Sequence, residues 1–238
     1  MSFSPDHRVT LRRLHHVTHD VVHAITTKPE GFGFQRGQAV DWALDRRGFR
    51  DNPHPFTMVS GPEDDHLEFV IKCYPTSEYP DHEGVTEQIE KLVPGAKILI
   101  SEPFGGLEDK GEGVFIAGGA GITPFISMLE AREKAGALGG CALIFSNKAE
   151  KDIILRERWE AMAKKGLQLR LTLTDEDHPS IPHTMVTGDY LKEQLGELTN
   201  RRFYVCGPPP MMEAVIATLR QHRVPDFRII AEEWWLEG

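Results

Sequence analysis

The sequence predicts two domains, an antiparallel Greek-key β-barrel followed by a doubly wound parallel α/β sheet. From Val9 to about Ile100, short strand-like runs are separated by clusters of Gly, Pro, Asp and Asn. From about Gly111, apolar strands alternate with helices of ordinary length, the pattern of right-handed β-α-β units. The stretch 103–113 between them contains four glycines. We therefore expect one domain over residues 1–105 and a second over residues 111–238.

The first half supplies the strands of the barrel. Residues 67–72 alternate between apolar and polar side chains, as a strand with one buried face does. The strand-bearing stretches are VTLRRLHHVTHDVVHAIT, GFGFQRGQAVDWAL, HPFTMVSGP, HLEFVIKCY and AKILISEPFG. One helix is expected within this half, at Thr86–Val93, because its apolar residues fall on one face.

In the second half, the predicted strands are VFIA, CALIFS, LQLRLTLT, RRFYVCG and FRIIAEEWW. The helices expected between them run to about Ala135, over 153–164, around 189–195 and over 211–222. Ligands of such sheets bind beyond the carboxyl ends of the strands. That rule places four segments along one edge: Gly118–Pro124, Ser146–Lys148, Thr174–Asp175 and Cys206–Pro208.

Composition excludes several classes of protein. The formal net charge is 27 − 36 = −9 with the charges scattered, which argues for a soluble protein and against a general nucleic-acid binder. No apolar run approaches the roughly 20 residues of a membrane-spanning helix, and the first residues lack the apolar core of a signal peptide, so we expect a cytoplasmic protein. The three cysteines form no C-x-x-C pair, so neither a disulfide framework nor a cysteine-ligated metal is expected.

The stretch GVFIAGGAGITPFISML, residues 113–129, predicts a strand, a glycine turn and a helix start. Glycines let the backbone approach a ligand closely, and a helix N-terminus offers unpaired N–H groups, so the expected ligand is a phosphate or pyrophosphate. Pro124 suits the first helical turn, where its missing N–H has no intrahelical acceptor. The same glycines are also typical of a turn that is simply packed closely.

A second glycine-bearing turn follows a strand near the C-terminus, in FYVCGPPPMM, residues 203–212. The two turns, in this order and behind an antiparallel half, resemble the ferredoxin–NADP reductase family, which includes flavodoxin reductases and the reductase module of flavohaemoglobins. The resemblance covers nearly the whole chain. It implies that the first turn binds the pyrophosphate of NAD(P)H through Gly118, Gly119, Ala120, Gly121, Ile122, Thr123 and Pro124. It also implies that Cys206, Gly207 and Pro208 line the nicotinamide site, with Cys206 placing the reacting carbon; a lone cysteine is otherwise more often a small buried side chain.

The resemblance assigns FAD to the first half. Family members bind it through a motif of the form Arg-x-Tyr-Ser, and His54, Pro55, Phe56 and Thr57 stand at that place. The implied contacts are Phe56 against the flavin and the Thr57 hydroxyl near flavin N5. Because His54 replaces the usual Arg, the resemblance implies weaker and pH-dependent binding of the pyrophosphate. A second family element, which holds the pyrophosphate through backbone N–H groups, matches Gly84, Val85 and Thr86.

The last predicted strand resembles the family's C-terminal strand, which implies a catalytic carboxylate at Glu232 and an aromatic cover at Trp234. Two adjacent tryptophans are equally typical of a core or of a partner surface. Together with Thr57 and Cys206, Glu232 completes the implied catalytic set. At the end of the second parallel strand, Ser146, Asn147 and Lys148 supply a hydroxyl, an amide and a cation without an immediate acid, which favours NADPH over NADH. Glu150 and Asp152 nearby argue the other way, and a lysine at this place is equally typical of a solvated surface.

The function implied is a cytoplasmic FAD-dependent reductase that oxidises NAD(P)H and passes single electrons to a carrier such as ferredoxin or flavodoxin. Three alternatives stay open. They are a flavin or dye reductase with no protein acceptor, a dinucleotide-sensing subunit whose flavin site is weakened at His54, and a flavin-free dehydrogenase.

Overall fold

The computed structural model describes residues 5–74 and 85–231. The chain divides into two compact units, residues 1–106 and 107–238, and each unit has its own hydrophobic core. Within the described residues, no helix combines the length and the apolar character that crossing a membrane requires.

Unit 1 is a six-stranded antiparallel sheet. Its elements are β1 His7–His16, β2 Val21–Thr27, β3 Ala39–Leu44, β4 His54–Thr57, β5 His66–Lys72, α1 Val85–Ile89 and β6 Lys97–Ile100. The strand order is β4-β3-β6-β1-β2-β5. A bridge between Met58 and Phe69 joins the two ends of this order, and the Val59 N–H donates to the Glu68 carbonyl at 2.8 Å. The sheet therefore curls into a nearly closed barrel, as the sequence predicts.

The barrel core collects the apolar side chains of one face of each strand. Val40, Trp42 and Leu44 of β3 point into it together with Phe69 of β5, and all four are buried. In an antiparallel pair, directly opposed residues share a face. Phe56 is opposed to Val40 and His54 to Trp42, so these two β4 residues lie on the core face of the sheet.

The helix of unit 1 is shorter than predicted. It covers Val85–Ile89 instead of residues 86–93, and its last turn tightens, because the Lys91 and Leu92 N–H groups bond to carbonyls three residues back. Pro94 follows at once, and a residue before proline is disfavoured in helical geometry. The apolar residues that led to the longer predicted helix lie in this turn.

Unit 2 is a five-stranded parallel sheet with helical connections. Its elements are β7 Val114–Gly118, α2 Thr123–Lys134, β8 Ala142–Asn147, α3 Arg156–Ala163, β9 Gln168–Leu173, α4 Gly188–Leu195, β10 Phe203–Cys206, α5 Pro209–Gln221 and β11 Ile229–Ala231. The order β11-β10-β7-β8-β9 reverses direction beside β7, so the predicted doubly wound sheet is confirmed. Such a reversal is where α/β sheets bind ligands.

Helices cover both faces of this sheet. Val114 and Ile116 of β7 pack in one cluster with residues of α4 and α5. Phe115, between them, points to the opposite face, where its ring meets Phe125 of α2 edge-on at 5.2 Å and stacks on Tyr204 at 4.5 Å. Every residue of β7 is buried, which explains its continuous apolar sequence.

One helix of unit 2 begins later than predicted. α3 was expected from about Ile153 but starts at Arg156, because Leu155 adopts a left-handed conformation with φ 55°. A short 3-10 turn over residues 150–152 takes up the chain before it. A leucine in this conformation carries no sequence signal, since the left-handed region favours Gly or Asn.

Candidate nucleotide and flavin sites

The first glycine turn has the predicted order of strand, turn and helix. β7 ends at Gly118, a 3-10 turn covers Gly119–Ile122, and α2 begins at Thr123 with Pro124 in its first turn. Gly119 has φ +51°, a left-handed conformation that favours glycine, and an added Cβ there would meet no atom within 4 Å. The backbone at Gly119 therefore borders open space.

Two other glycines of this turn serve packing against the second turn. A Cβ on Gly121 would come within 2.6 Å of the Gly207 Cα, and one on Gly118 within 3.0 Å of the Pro208 Cδ. Both turns thus touch at the carboxyl ends of the neighbouring strands β7 and β10. The sequence places the two turns along one edge, but it does not show that glycine is required for their contact.

The 3-10 turn before α2 has no side-chain cap at its start. Its N-cap residue is Gly118, and the turn runs directly into α2, where the Thr123 N–H donates to the Ala120 carbonyl. In α4, by contrast, the Thr187 hydroxyl accepts the Tyr190 N–H at 3.2 Å. Four N–H groups at a helix start need partners from elsewhere. A phosphate beside Gly119 fits this requirement.

Cys206 ends β10 and is 5% exposed, while Gly207 after it is half-buried and Pro208 is exposed. The Cys206 side chain is therefore reachable only at its edge. This placement suits a group that contacts the edge of a ligand at the strand end.

The predicted coenzyme segment at the end of β8 alternates in exposure. Ser146 pairs with Gly118 in the sheet and is half-buried, Asn147 is 4% exposed, and Lys148 is exposed. Neither the amide nitrogen nor the amide oxygen of Asn147 has a partner in the described part of the chain. Lys148 is the one charged residue of the three, and it lies at the surface.

The neighbouring strand brings an acid to the same edge. The Asp175 N–H donates to the Lys148 carbonyl at 2.9 Å, and the Asp175 side chain is exposed. The predicted preference for NADPH depends on the residues directly after β8. Asp175 follows β9, so it has no part in that prediction.

In unit 1, β4 carries the predicted flavin motif, and all four of its residues are partly exposed. Phe56 meets the buried Trp42 edge-on at 5.8 Å. The Thr57 hydroxyl makes no hydrogen bond among residues 5–74 and 85–231, and it is available to a ligand.

His54 has an acidic neighbour that the sequence did not single out. Asp41 is opposed to Pro55, one position from the Trp42–His54 pair. Burial raises the pKa of Asp41, while the charge of His54 opposes that rise. Only the β3–β4 register reveals this neighbour, because the two residues are far apart in sequence.

The remaining predicted residues divide into two groups. Val85 and Thr86 begin α1, and their side chains are buried. Only their backbone groups can therefore contact a ligand. Gly84, Glu232 and Trp234 lie outside the described residues.

Models of two domain families match the chain over most of its length. An FAD-binding domain matches residues 7–108, and an oxidoreductase NAD-binding domain matches residues 115–216. Over 226 aligned residues the chain is 30% identical to NADH-cytochrome b5 reductase 2 of Mycosarcoma maydis, which spans 87% of this chain and 63% of that protein. The chain belongs to the ferredoxin–NADP reductase-like FAD- and NAD-binding oxidoreductases.

A second sequence relative and a solved structure are similar to this chain as well. The ferredoxin–NAD(P)+ reductase component of the naphthalene 1,2-dioxygenase/salicylate 5-hydroxylase systems of a Ralstonia species is 25% identical over 190 residues, covering 77% of this chain and 56% of that protein. The flavohem-like FAD/NAD-binding domain of nitric oxide dioxygenase from Vibrio cholerae shares the fold with a TM-score of 0.84, at 18% identity and coverage of 96% and 98%. The chain spans 56% to 63% of the length of the two sequence relatives.

Proposed function

We propose that the chain is an NAD(P)H-dependent flavoprotein reductase that moves hydride from NAD(P)H to FAD and then single electrons to a carrier such as ferredoxin or flavodoxin. The observation that carries the proposal is the contact between the turns at 118–124 and 206–208, at the carboxyl edge of a parallel sheet. The two cofactor-domain matches support it.

The residues of unit 2 fit a dinucleotide. The uncapped start of the 3-10 turn before α2 and the open space at Gly119 suit the pyrophosphate, since N–H groups and the helix dipole favour a negative group there. Cys206, at the adjoining strand end, orients the nicotinamide by contact. Its low exposure argues for a positioning role and against covalent attack.

The residues of unit 1 fit a flavin. The free Thr57 hydroxyl offers a hydrogen bond, and the partly exposed Phe56 ring offers an apolar surface held in place by Trp42. FAD, when bound, supplies a two-electron acceptor that can release its electrons one at a time. The protein supplies orientation and electrostatics. Glu232 stays the predicted carboxylate and Trp234 the predicted aromatic cover.

The carrier is proposed from the relatives' names. One relative is named for ferredoxin and another for cytochrome b5, which are both one-electron carriers. A small protein that accepts single electrons is accordingly the partner class we propose.

Coenzyme preference depends on Lys148 and Asp175, which lie side by side. The lysine favours the 2′-phosphate of NADPH, as the sequence predicts, and the carboxylate favours the ribose diol of NADH. Replacing Lys148 by Ala should lower kcat/KM for NADPH and spare NADH, whereas Asp175→Ala should improve the use of NADPH. An unchanged preference in both variants removes these residues from the proposal.

The visible spectrum of the purified protein tests the function. It should show bound FAD, or acquire it when FAD is added, and anaerobic NADPH or NADH should bleach it. Bleached protein should then reduce ferredoxin or cytochrome b5. Failure to bind FAD while still binding NAD(P)H indicates a sensing subunit instead, and reduction of dyes alone indicates a flavin or dye reductase.

A further inference from the structure

The loop after β9 returns along that strand. The Leu173 N–H donates to the Pro182 carbonyl at 3.0 Å, and the Thr184 N–H donates to the Leu173 carbonyl at 2.9 Å. Residues 174–184 thus form a closed loop at the carboxyl end of the sheet. We call it the β9 loop.

The β9 loop borders the predicted coenzyme segment. The Thr174 N–H donates to the Asn147 carbonyl at 2.9 Å, and Asp175 makes the same kind of bond to Lys148. Any ligand held at the end of β8 therefore lies next to the first residues of this loop.

One imidazole closes the loop across its width. His183 Nδ1 lies 2.8 Å from the Asp177 carboxylate, and its Nε2 lies 2.8 Å from the Thr174 carbonyl. A carboxylate and a carbonyl can only accept hydrogen bonds, so both ring nitrogens must donate. Only the protonated imidazolium has two N–H groups. The neutral ring must give up one of the two bonds.

The other histidine of the loop has the opposite requirement. His178 Nδ1 accepts the N–H groups of Ser180 at 3.2 Å and Ile181 at 3.1 Å, so this nitrogen must be unprotonated. Its Nε2 faces Glu150 at 3.3 Å. The fold of the loop therefore fixes His178 in one tautomer and assigns the proton-dependent bond to His183.

We propose that His183 is a proton-dependent clasp of the β9 loop and that the chain binds its nicotinamide coenzyme more tightly when this imidazole is protonated. The inference rests on the proposed function for the presence of the coenzyme. His183 is a positioning residue, because it acts through the loop.

The charges around His183 set the direction. Asp177 and Asp175 of the same loop face it, and the hydrogen bond to Asp177, followed by that to Thr174, raises the pKa of His183 above its usual 6.5. A raised pKa means that the clasp is closed below about pH 6.5 and opens as pH rises through the shifted value. Coenzyme affinity should fall in the same direction.

Binding of NAD+ and NADP+ to the flavin-loaded protein, measured by calorimetry between pH 6 and 8.5, tests the clasp. Whichever of the two coenzymes binds more tightly should lose about fivefold in affinity over this range, roughly the net value of one ordinary intramolecular hydrogen bond. His183→Gln should bind the coenzyme weakly at both pH 6 and pH 8.5. His183→Arg keeps a charged donor and should bind the coenzyme tightly at both. His222→Gln, the same change at the end of α5, should behave as wild type.

Reciprocal linkage gives a readout that is independent of affinity. If protonation favours coenzyme binding, the coenzyme must raise the pKa of His183, which NMR titration of its ring protons reports. A pKa that the coenzyme does not change, or equal pH dependence in His183→Gln, overturns the clasp alone. Absence of coenzyme binding at every pH overturns the proposed function as well.

Discussion

At the scale of single residues, the glycines of the first turn differ in what they do. Gly119 needs its left-handed φ and faces open space, whereas Gly121 is pressed against the second turn. Glycine at position 121 therefore allows the two turns to touch.

We expect Gly121→Ala to be the more damaging of two matched substitutions. Its Cβ would meet the backbone of Cys206 and Gly207, which cannot move aside as a side chain can, so the loss should be about 3 kcal/mol. Gly119→Ala should cost about 1 kcal/mol, from the left-handed backbone alone. Urea unfolding of both variants measures the difference, and equal losses contradict the contact.

Glu68 is a second residue whose neighbours set its behaviour. Its carboxylate lies between His23 Nε2 at 2.8 Å and His66 Nε2 at 2.6 Å, on the outer face of the barrel. The hydrogen bond from His23, with a further one from His66, lowers the pKa of Glu68 to about 2. The hydrogen bonds of His66 to Asp65 and Glu68 in turn raise the pKa of His66.

Glu68→Gln should therefore make stability less dependent on pH. A lowered pKa gives stability that is present above pH 4.5 and lost as pH falls toward 2, while the raised pKa of His66 adds stability below about pH 6.5. Because Glu68 is half-buried and solvent screens its bonds, the loss in the variant should be only about 2 kcal/mol, and it should be largest near pH 5–6. Urea unfolding at pH 3, 5.5 and 8 measures it, and a constant difference across these pH values contradicts the network.

At the scale of elements, Arg132 joins α2 to the segment that leads into β7. Its side chain is 9% exposed and pairs with Asp109, and it donates to the carbonyls of Gly111 at 2.6 Å and Met128 at 3.2 Å. The guanidinium also lies over the Phe115 ring, 5.5 Å from its centre. Several bonds from one rigid group fix residues 109–111 against the helix.

Arg132→Lys should lower the free energy of unfolding, although the substitution keeps the positive charge. An ammonium cannot hold the carboxylate, two carbonyls and the ring together, so we expect a loss of about 2–3 kcal/mol. Arg158→Lys on α3, whose arginine pairs with Glu130 at the surface, should cost less than 1 kcal/mol. Comparable chemical denaturation curves for the two variants would show that the Arg132 cluster adds nothing.

The sequence predicts the elements well where one local pattern decides them. Continuous apolar runs indicate the parallel strands, and the strand, glycine turn and helix order at residues 114–134 is as predicted. The start of α3 escapes prediction because Leu155 adopts a left-handed conformation that its residue type does not indicate. The end of α1 escapes because its last turn tightens before Pro94. The Gly121 contact and the His183 clasp escape for a related reason, since their partners are known only when strand neighbours and loop closure are known.

At the scale of the whole molecule, stability should follow cofactor loading. A ligand that binds only the folded chain stabilises it by mass action, about 2.7 kcal/mol at a hundred times its Kd. The family match to an FAD-binding domain covers residues 7–108, so FAD should raise the Tm of the barrel unit. The size of the rise reports the affinity of the flavin site, to which we assign His54 as a proposal.

We expect this stabilisation to depend on pH, because the family resemblance puts His54 at the place of the arginine that meets the pyrophosphate. A histidine is mostly charged only below about pH 6.5, so FAD should raise Tm more at pH 6 than at pH 8. His54→Arg restores a permanent charge with a fork that matches phosphate oxygens, and it should bind FAD about tenfold more tightly with little change between the two pH values. His54→Gln, which is never charged, should bind weakly at both. Thermal unfolding of the three proteins with and without FAD decides the matter, and equal shifts in all three would place the pyrophosphate away from β4.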